Sequence, residues 1–198
     1  ILVIDEAHNL PRRIRESLSQ ETSSAIIEYA KKEALRFNYK ETIENLEIIE
    51  NALFEISKEM VEQEEVISKN DFVEAVNKYK NYDELISELI FIGEDIREKQ
   101  KRSFVLSVAK FLEAWLGSDI GYGRILAKEL DKKLKINLSY RCLDPSLAAK
   151  EVIEKSYSTI LMSGTLTPTS MYRDILGFKD NVIEKEYKSP FPKKNRLN

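Results

Sequence analysis

The sequence predicts an α/β protein in which a large, mainly helical domain is inserted between two short strands of a parallel sheet. Ile1 to Ile4 form a continuous apolar run that ends in two acids, and "STILMSGTL", from Ser158 to Leu166, is a second apolar run that ends in polar residues. Continuous apolar runs are typical of strands buried on both faces of a parallel sheet. A βαβ crossover needs only about 30 residues in all, so the longer segment between the runs is expected to form an inserted domain.

The inserted segment is predicted to be helical over most of its length, because apolar residues recur at every third or fourth position. The longest stripe runs from Ile43 to Met60, and its outward face is acidic. No Pro occurs between Thr22 and Leu116, so helices joined by polar turns are the simplest interpretation. The apolar positions of the four predicted helices are Ile26, Ala30, Ala34 and Phe37; Ile43, Leu46, Ile49, Leu53, Ile56 and Met60; Leu85, Leu89, Ile92 and Ile96; and Phe104, Val108, Phe111, Leu112 and Trp115.

The chain changes character after Gly117, where strands are predicted in place of helices. We expect a hairpin of two strands, at residues 124–129 and 134–140, joined by a charged turn at residues 130–133. The remaining predictions are a helix from Asp144 to Lys155, a helix with Pro168 in its first turn and Met171, Ile175 and Leu176 on its buried face, and a linker formed by "KSPFPKKNRLN".

Three domain segments follow from this pattern. Residues 1–20 and 118–198 are expected to form one α/β domain, and residues 21–117 are expected to form the helical insertion.

Composition excludes several classes of protein. The single Cys142 excludes an internal disulfide framework and any multi-cysteine metal site built by these residues alone, which favours a reducing, intracellular setting. The net charge of -3 indicates no overall basic surface, so any contact with nucleic acid is expected to be local. No apolar stretch of about 18 residues is present, and no membrane association is expected.

Asp5, Glu6 and His8 directly follow the first predicted strand. In open α/β sheets ligands bind at the carboxyl ends of the strands. An Asp there can hold a magnesium ion that bridges nucleotide phosphates, and a Glu can orient the attacking water. One alternative is that the three residues only begin a loop or cap the helix indicated by Pro11. Another, a metal hydrolase, is disfavoured because the chain has one His.

Two motifs together resemble a known family. "VIDEAHNL" resembles the second helicase motif of the DEAH type, and "LMSGTLTP" resembles the third motif of the XPD/DinG family of iron–sulfur DNA helicases. "SYRCLDPSLA" and "SPFPKKNRL" are similar to neighbouring segments of the same family. The resemblance implies a partial RecA-like P-loop motor domain with a mainly helical arch inserted between the two motifs.

The resemblance also implies roles for five residues. Asp5 would bind the magnesium of Mg-ATP, and Glu6 would be the catalytic acid. His8 would pass the state of the nucleotide to Ser163 and Thr165, and a neutral imidazole facing hydroxyls is suited to this because both can donate and accept. The alternative for Ser163 and Thr165 is a simple turn in which a glycine relieves strain.

The sequence contains no G-x-x-x-x-G-K-[ST] phosphate loop. In the family that it resembles, this loop and a 4Fe-4S cluster precede the DEAH strand, and a second motor domain follows the third motif. We therefore expect a segment of an ATP-dependent 5′-to-3′ DNA helicase acting in DNA repair, with no ATPase activity by itself. A prokaryotic, for instance archaeal, source with a cytoplasmic location is favoured, and a nuclear location is expected for a eukaryotic source.

Single-stranded DNA and a DNA fork are the expected partners. Lys99, Lys101 and Arg102 cluster at a predicted helix–helix turn, and Arg12 and Arg13 follow the DEAH strand. With nearby aromatic residues such as Tyr39, Tyr79 and Tyr82 they could line a path for a single strand. The alternatives are that these charges form a solvated helix face, and that the helical arch docks repair or transcription-factor proteins.

Overall fold

The computed structural model describes residues 1–130, 134–179 and 181–188. These residues divide into a parallel-sheet unit, made of Ile1–Ile14 and the described residues from Asp144 onwards, and a helical unit, Arg15–Leu143. The elements in chain order are β1 (Leu2–Ile4), a 3-10 turn (Ala7–Asn9), α1 (Leu10–Leu18), β2 (Gln20–Ser23), α2 (Ser24–Arg36), α3 (Lys40–Lys58), β3 (Glu64–Val66), α4 (Lys69–Asn77), α5 (Tyr82–Gln100), α6 (Phe104–Trp115), β4 (Tyr122–Leu130), β5 (Leu134–Cys142), α7 (Ser146–Lys155), β6 (Thr159–Leu161) and α8 (Thr169–Ile175).

The four predicted helices of the insertion are present as α2, α3, α5 and α6. Side chains cap their starts where serine or asparagine precedes the first turn. The Ser23 hydroxyl accepts from the Ile26 amide, and the Asn81 side chain accepts from the amides of Asp83 and Glu84. Such caps satisfy amides that have no partner within the helix. Helix α4, which the apolar period does not predict, begins at a capping box formed by Ser68 and Asp71.

The helical unit contains an antiparallel sheet of four strands in the order β2-β5-β4-β3. The predicted hairpin is present as β4 and β5, which pair from Tyr122 with Cys142 to Leu130 with Leu134. Residues 131–133 of the predicted turn lie outside the described residues. The short edge strands β2 and β3 were not predicted, because "QETS" and "EEV" lack an alternating apolar pattern.

The two units do not follow the predicted domain boundaries. The hairpin was assigned to the α/β domain, but it pairs with β2 on one side and β3 on the other, within the same unit as the helices. Leu126, Ile136 and Leu138 of the hairpin belong to the helical core. The inward side of the hairpin is therefore buried by the helices, and the boundaries lie near residues 15 and 143 rather than 21 and 117.

The core of the helical unit is centred on aromatic side chains. Trp115 is fully buried, with its ring centroid 5.6 Å from those of both Phe72 and Phe111. Its indole Nε1 donates to the Lys69 carbonyl at 3.1 Å. The indole thus has both its apolar surface and its one polar group satisfied, as a buried tryptophan requires.

Helices α5 and α6 approach each other closely at Gly93. A Cβ added to Gly93 would lie 2.7 Å from the Cα and N atoms of Leu106. Because those are backbone atoms, they cannot move aside as a flexible side chain could. Gly93 therefore sets the distance between the two helices.

The parallel-sheet unit contains a two-stranded parallel sheet among its described residues, with Leu2 opposite Thr159 and Ile4 opposite Leu161. Both strands occur where they were predicted, but the expected burial on both faces is wrong for two residues. Val3 is 54% exposed and Ile160 is 49% exposed. The buried residues described in this unit are Ala7, Pro11, Pro145, Ala149 and Leu176.

The predicted helices after the hairpin are present as α7 and α8. Leu176 is fully buried as expected, whereas Met171 was expected to be buried and is 40% exposed. The predicted linker lies outside the described residues apart from Lys188. None of the helices in the described part of the chain combines the length and the apolar character that a bilayer crossing requires.

Candidate functional site

The pairing of β1 with β6 brings the two sequence motifs together. The Met162 amide donates to the Ile4 carbonyl at 2.9 Å, and the Ala7 amide donates to the Met162 carbonyl at 3.1 Å. Because the strands are parallel, their carboxyl ends meet at one edge of the sheet. Residues 5–8 and residues 163–165 therefore lie side by side although the helical unit separates them in sequence.

Glu6, His8 and Ser163 form a cluster at this edge. His8 Nδ1 lies 2.7 Å from Ser163 Oγ and 3.2 Å from Glu6 Oε2, and Ser163 Oγ lies 3.3 Å from Glu6 Oε2. The Glu6 side chain is 68% exposed and that of His8 is 31% exposed. The acid thus remains open to solvent, and one of its oxygens lies beside the imidazole and the hydroxyl.

The proton on His8 is fixed by its neighbour Asn9. The Asn9 amide nitrogen Nδ2 lies 3.0 Å from His8 Nε2. An amide nitrogen only donates, so Nε2 accepts and the proton of a neutral ring lies on Nδ1. His8 Nδ1 then donates to Ser163 Oγ, whose hydroxyl donates to Glu6 Oε2. Sequence reasoning did not select Asn9, although an amide directly after the histidine was a visible signal.

The backbone at Glu6 has an unusual conformation. Its φ is 51°, in the left-handed region, which costs a residue with a Cβ about 1–2 kcal/mol. The Asp5 carboxylate compensates in part, because its Oδ1 accepts from the Glu6 amide at 2.8 Å. Strained residues of this kind cluster at functional sites, where the surrounding structure holds them.

Asp5 has the chemistry that a nucleotide-bound magnesium ion requires. Its carboxylate is exposed and positioned by the bond from the Glu6 amide. Magnesium is commonly held by one or two carboxylates together with substrate phosphates. No group of three or more His, Cys, Asp or Glu residues that could hold a metal ion occurs among the described residues.

Thr165 adjoins Ser163 rather than His8. The Thr165 amide donates to Ser163 Oγ at 3.2 Å, and the two hydroxyl oxygens are 3.5 Å apart. Gly164 has no atom within 4 Å of an added Cβ, and it is not among the residues with positive φ. The alternative of a turn in which this glycine relieves strain has no support in the backbone.

The predicted DNA-binding residues of the helical unit differ in their environments. Lys101 and Arg102 are exposed in the turn between α5 and α6. Lys99 lies in α5, where its Nζ donates to Asp95 at 2.6 Å and to the Tyr39 hydroxyl at 3.1 Å. The Asp95 carboxylate raises the pKa of Lys99. Lys99 is thus held in a local network, whereas its two neighbours face solvent.

The other DNA-binding candidates also differ in their exposure to solvent. Arg12 and Arg13 lie on the exposed side of α1. Tyr79 is 58% exposed. Tyr82 was expected near a DNA path, but it is buried, and its hydroxyl donates to the Leu112 carbonyl at 3.1 Å. The apolar period of α5 places Tyr82 on the core side of the helix.

Comparison with known proteins identifies similar sequences and folds. The general transcription and DNA repair factor IIH helicase subunit XPD/RAD3 of Saccharomyces cerevisiae is 42% identical over 60 residues, which are 30% of this chain and 8% of that protein. The XPD subunits of Schizosaccharomyces pombe and Dictyostelium discoideum are 44% identical over 50 residues and 39% identical over 44 residues, in each case 6% of that protein. No family model matches the sequence.

Two solved XPD structures share the fold. An XPD helicase structure has a TM-score of 0.64 at 24% identity and covers 90% of this chain, which corresponds to 30% of the solved one. An apo XPD structure has a TM-score of 0.62 at 24% identity, again over 90% of this chain and 33% of the solved one. The chain spans about a third of these structures. The comparisons confirm the resemblance that the motifs indicate: this chain is similar, in sequence and in fold, to a segment of the XPD helicases.

Proposed function

We propose that this chain is a segment of an ATP-dependent DNA helicase that acts in DNA repair and separates strands in the 5′-to-3′ direction. The observation that carries the proposal is the cluster of Glu6, His8 and Ser163 at the joined ends of two parallel strands. The similarity to helicase subunits of a transcription and DNA repair factor supports the helicase activity and the repair pathway, and the resemblance of the two motifs implies the 5′-to-3′ direction.

Asp5 and Glu6 are the residues of this chain that take part in hydrolysis. Asp5 would hold the magnesium of Mg-ATP, and the bound ion would polarise the γ-phosphate. Glu6 Oε2 accepts a proton from, or orients, the attacking water. Because the Glu6 carboxylate is 68% exposed, it can receive that water without a large rearrangement.

His8 and Ser163 couple this step to the rest of the motor. When Glu6 turns to the water, the hydroxyl of Ser163 loses an acceptor and can rotate toward Thr165, 3.5 Å away. His8 keeps its own bond to Asn9 during this change. A hydroxyl that exchanges partners of similar strength can report the state of the nucleotide at small energetic cost.

The 198-residue chain by itself is expected not to hydrolyse ATP, because its sequence has no phosphate loop to hold the nucleotide. The test is a steady-state ATPase assay with single-stranded DNA. Turnover by this chain that the substitution Glu6→Gln abolishes would contradict the expectation.

The coupling role is tested in the longer helicase of which this chain is proposed to be a segment. Glu6→Gln is expected to lower ATP turnover by about 100-fold or more. Ser163→Ala is expected to lower strand separation more than ATP turnover. Ser156→Ala is the matched control, since the Ser156 hydroxyl donates to the Val152 carbonyl of α7 and lies outside the cluster. An equal loss of unwinding and hydrolysis in Ser163→Ala would reject the coupling role.

Other features of the parent enzyme rest on the resemblance. We infer that it carries a 4Fe-4S cluster outside this segment, that the helical unit forms part of the arch that guides single-stranded DNA at a fork, and that Arg12, Arg13, Lys101 and Arg102 are candidate contacts. A cytoplasmic location in a prokaryotic source, or a nuclear one in a eukaryotic source, stays a prediction.

A second function, protein docking through the helical unit, is favoured by one surface. Glu41, Glu44 and Glu47 are exposed on one side of α3. An acidic helix face repels the phosphates of DNA and suits a basic protein segment. Charge reversal of these three residues should weaken capture of a repair or transcription-factor protein without lowering DNA affinity, if this function holds.

A further inference from the structure

Two aromatic side chains lie together on the surface of the helical unit. Tyr29 of α2 and Phe104, the first residue of α6, stack with their ring centroids 5.3 Å apart and their planes at 30°. They are 54% and 47% exposed. The two rings therefore form a paired apolar platform that is about half exposed among the described residues.

Basic side chains surround this platform. Lys101 and Arg102 precede Phe104 by three and two positions and are exposed. Lys32 lies with its Nζ 5.8 Å from the centre of the Tyr29 ring. Arg36 lies one further turn along α2, on the same exposed face as Tyr29, because positions separated by three, four or seven residues share a helix face. We call these four cations and two rings the aromatic–basic patch.

Two glutamates of α2 adjoin the patch residues in sequence, and both are engaged. Glu28 is exposed and pairs with Lys32 at 2.8 Å. Glu33 is buried and points inward, where it accepts from Gln100 Nε2, from Ser103 Oγ at 2.8 Å and from the Val105 amide at 2.9 Å. The surface charge of the patch is thus positive.

Glu33 also fixes the positions of the backbone segments that form the patch. Its three donors come from the end of α5, the following turn and the first turn of α6, so one carboxylate anchors the loop that carries Lys101 and Arg102 to helix α2. Such charge-assisted bonds are stronger than bonds between neutral groups. The backbone that carries Lys101, Arg102 and Phe104 is therefore positioned before any partner binds, which lowers the entropic cost of binding.

We propose that the aromatic–basic patch binds single-stranded nucleic acid, with bases stacked on Tyr29 and Phe104 and phosphates on Lys32, Arg36, Lys101 and Arg102. Half-exposed rings beside exposed cations match both parts of a single strand, since bases stack on aromatic rings and cations follow the backbone. An acidic peptide would use the cations but has no flat base to place on the rings. The inference rests on the proposed function and assigns its DNA contact to particular residues.

The test measures binding of the whole 198-residue chain to a fluorescently labelled oligothymidylate by anisotropy at several salt concentrations. Tyr29→Ala and Phe104→Ala should each lower the affinity by about tenfold with the salt slope unchanged. Lys101→Ala with Arg102→Ala should reduce the slope of log K against log salt by about 1.4, at about 0.7 for each phosphate contact.

Matched controls separate the patch from surface effects in general. Phe91→Ala removes another ring, 74% exposed, from α5. Lys150→Ala with Lys155→Ala removes two charges from α7 in the parallel-sheet unit. Both controls should bind as the unmodified chain does. Circular dichroism checks that each variant keeps its helical content.

A second oligonucleotide with abasic sites keeps the phosphates but lacks bases, so it measures the contribution of base stacking to the affinity. The unmodified chain should lose affinity for it by more than either single ring variant does, up to about 100-fold, whereas the Tyr29→Ala, Phe104→Ala double variant should bind both oligonucleotides equally, because stacking has already been removed. If poly-glutamate binds with the same dependence on the two rings, the patch belongs to an acidic protein partner and the inference is overturned.

The failure of this inference differs from the failure of the proposed function. If the patch variants bind DNA as well as the unmodified chain does, the patch is not the DNA-binding surface, and the helicase assignment is unaffected. If the chain does not bind single-stranded DNA at low salt, the inference that the patch binds DNA is also overturned. The helicase assignment is tested separately, by the effect of Glu6→Gln on ATP turnover in the longer helicase.

Discussion

The helical unit and the parallel-sheet unit are built in opposite ways. The helical unit surrounds Trp115, Phe72 and Phe111 with fully buried aliphatic residues. The parallel-sheet unit leaves Val3 and Ile160 about half exposed and carries its polar cluster at the open edge of a two-stranded sheet, among the residues described. One unit concentrates the apolar burial and the other concentrates the candidate chemistry.

The recognisable sequence motifs and the residues that stabilise the fold therefore lie in different parts of the chain. Hydrophobic burial stabilises in proportion to the apolar area removed from water. The helical unit is therefore expected to resist denaturation more than the parallel-sheet unit. The following three predictions test that contrast, beginning with the largest effect.

Removal of a core ring should have the largest effect. Trp115→Ala is expected to lower the free energy of unfolding of the helical unit by about 3–5 kcal/mol, because the packing on Phe72 and Phe111 is lost. Ile160→Ala, in the exposed strand of the other unit, should cost about 1 kcal/mol or less. Urea denaturation followed by far-ultraviolet circular dichroism measures the loss of stability in each variant. Similar losses in the two variants would contradict the expected difference between the units.

Substitution of alanine for one glycine in each unit should have the second-largest effect on stability. Gly93→Ala is expected to cost about 1–3 kcal/mol, since the new methyl would meet the Leu106 backbone at 2.7 Å. That clash exceeds the gain of about 1 kcal/mol in helix propensity. Gly164→Ala, with nothing within 4 Å of the new methyl, should change stability by about 0.5 kcal/mol at most. A stable Gly93→Ala variant would show that α5 and α6 can move apart.

Alkaline pH should weaken the helical unit through a buried tyrosine. Burial raises the pKa of Tyr82 above the usual value of 10.0. Above pH 10 the unfolded chain releases this proton and the native chain keeps it, so stability falls as pH rises, by at most about 1.4 kcal/mol per pH unit. Tyr82→Phe should lower stability at neutral pH by about 1 kcal/mol, through loss of the bond to Leu112, and make the alkaline decline shallower.

Trp115 makes this measurement specific. The chain has one tryptophan, and it lies in the core of the helical unit. Its fluorescence therefore reports the unfolding of that unit alone. An alkaline decline that Tyr82→Phe leaves unchanged would assign the effect to other groups, such as Tyr122 and Tyr140, whose pKa values burial also raises.

Sequence periodicity predicted the elements with long apolar stripes and missed those without them. Helices α2, α3, α5 and α6 and the β4–β5 hairpin follow from spacing, because their buried positions recur regularly. Strands β2 and β3 do not, since their residues are polar and their place depends on pairing with distant strands. The exposure of Val3 and Ile160 also depends on tertiary context that a local apolar run cannot specify.

The candidate site was predictable where its residues are contiguous in sequence. Asp5, Glu6 and His8 stand together, and the parallel pairing of two apolar runs brought Ser163 beside them. The proton donor role of His8 Nδ1 depends on Asn9 and required coordinates. Tyr29 and Phe104 lie on separate helices, and no local pattern indicates that their rings stack.

The pairing of β2 with β5 places the entry and exit of the helical unit next to each other. Gln20 lies opposite Tyr140, and the Cys142 amide donates to the Ser19 hydroxyl at 2.9 Å. A domain whose two ends are adjacent can be inserted into a loop of another protein without distorting the host. The segment from β2 to β5 thus begins and ends on adjacent strands, which is the arrangement expected of a domain inserted into another domain.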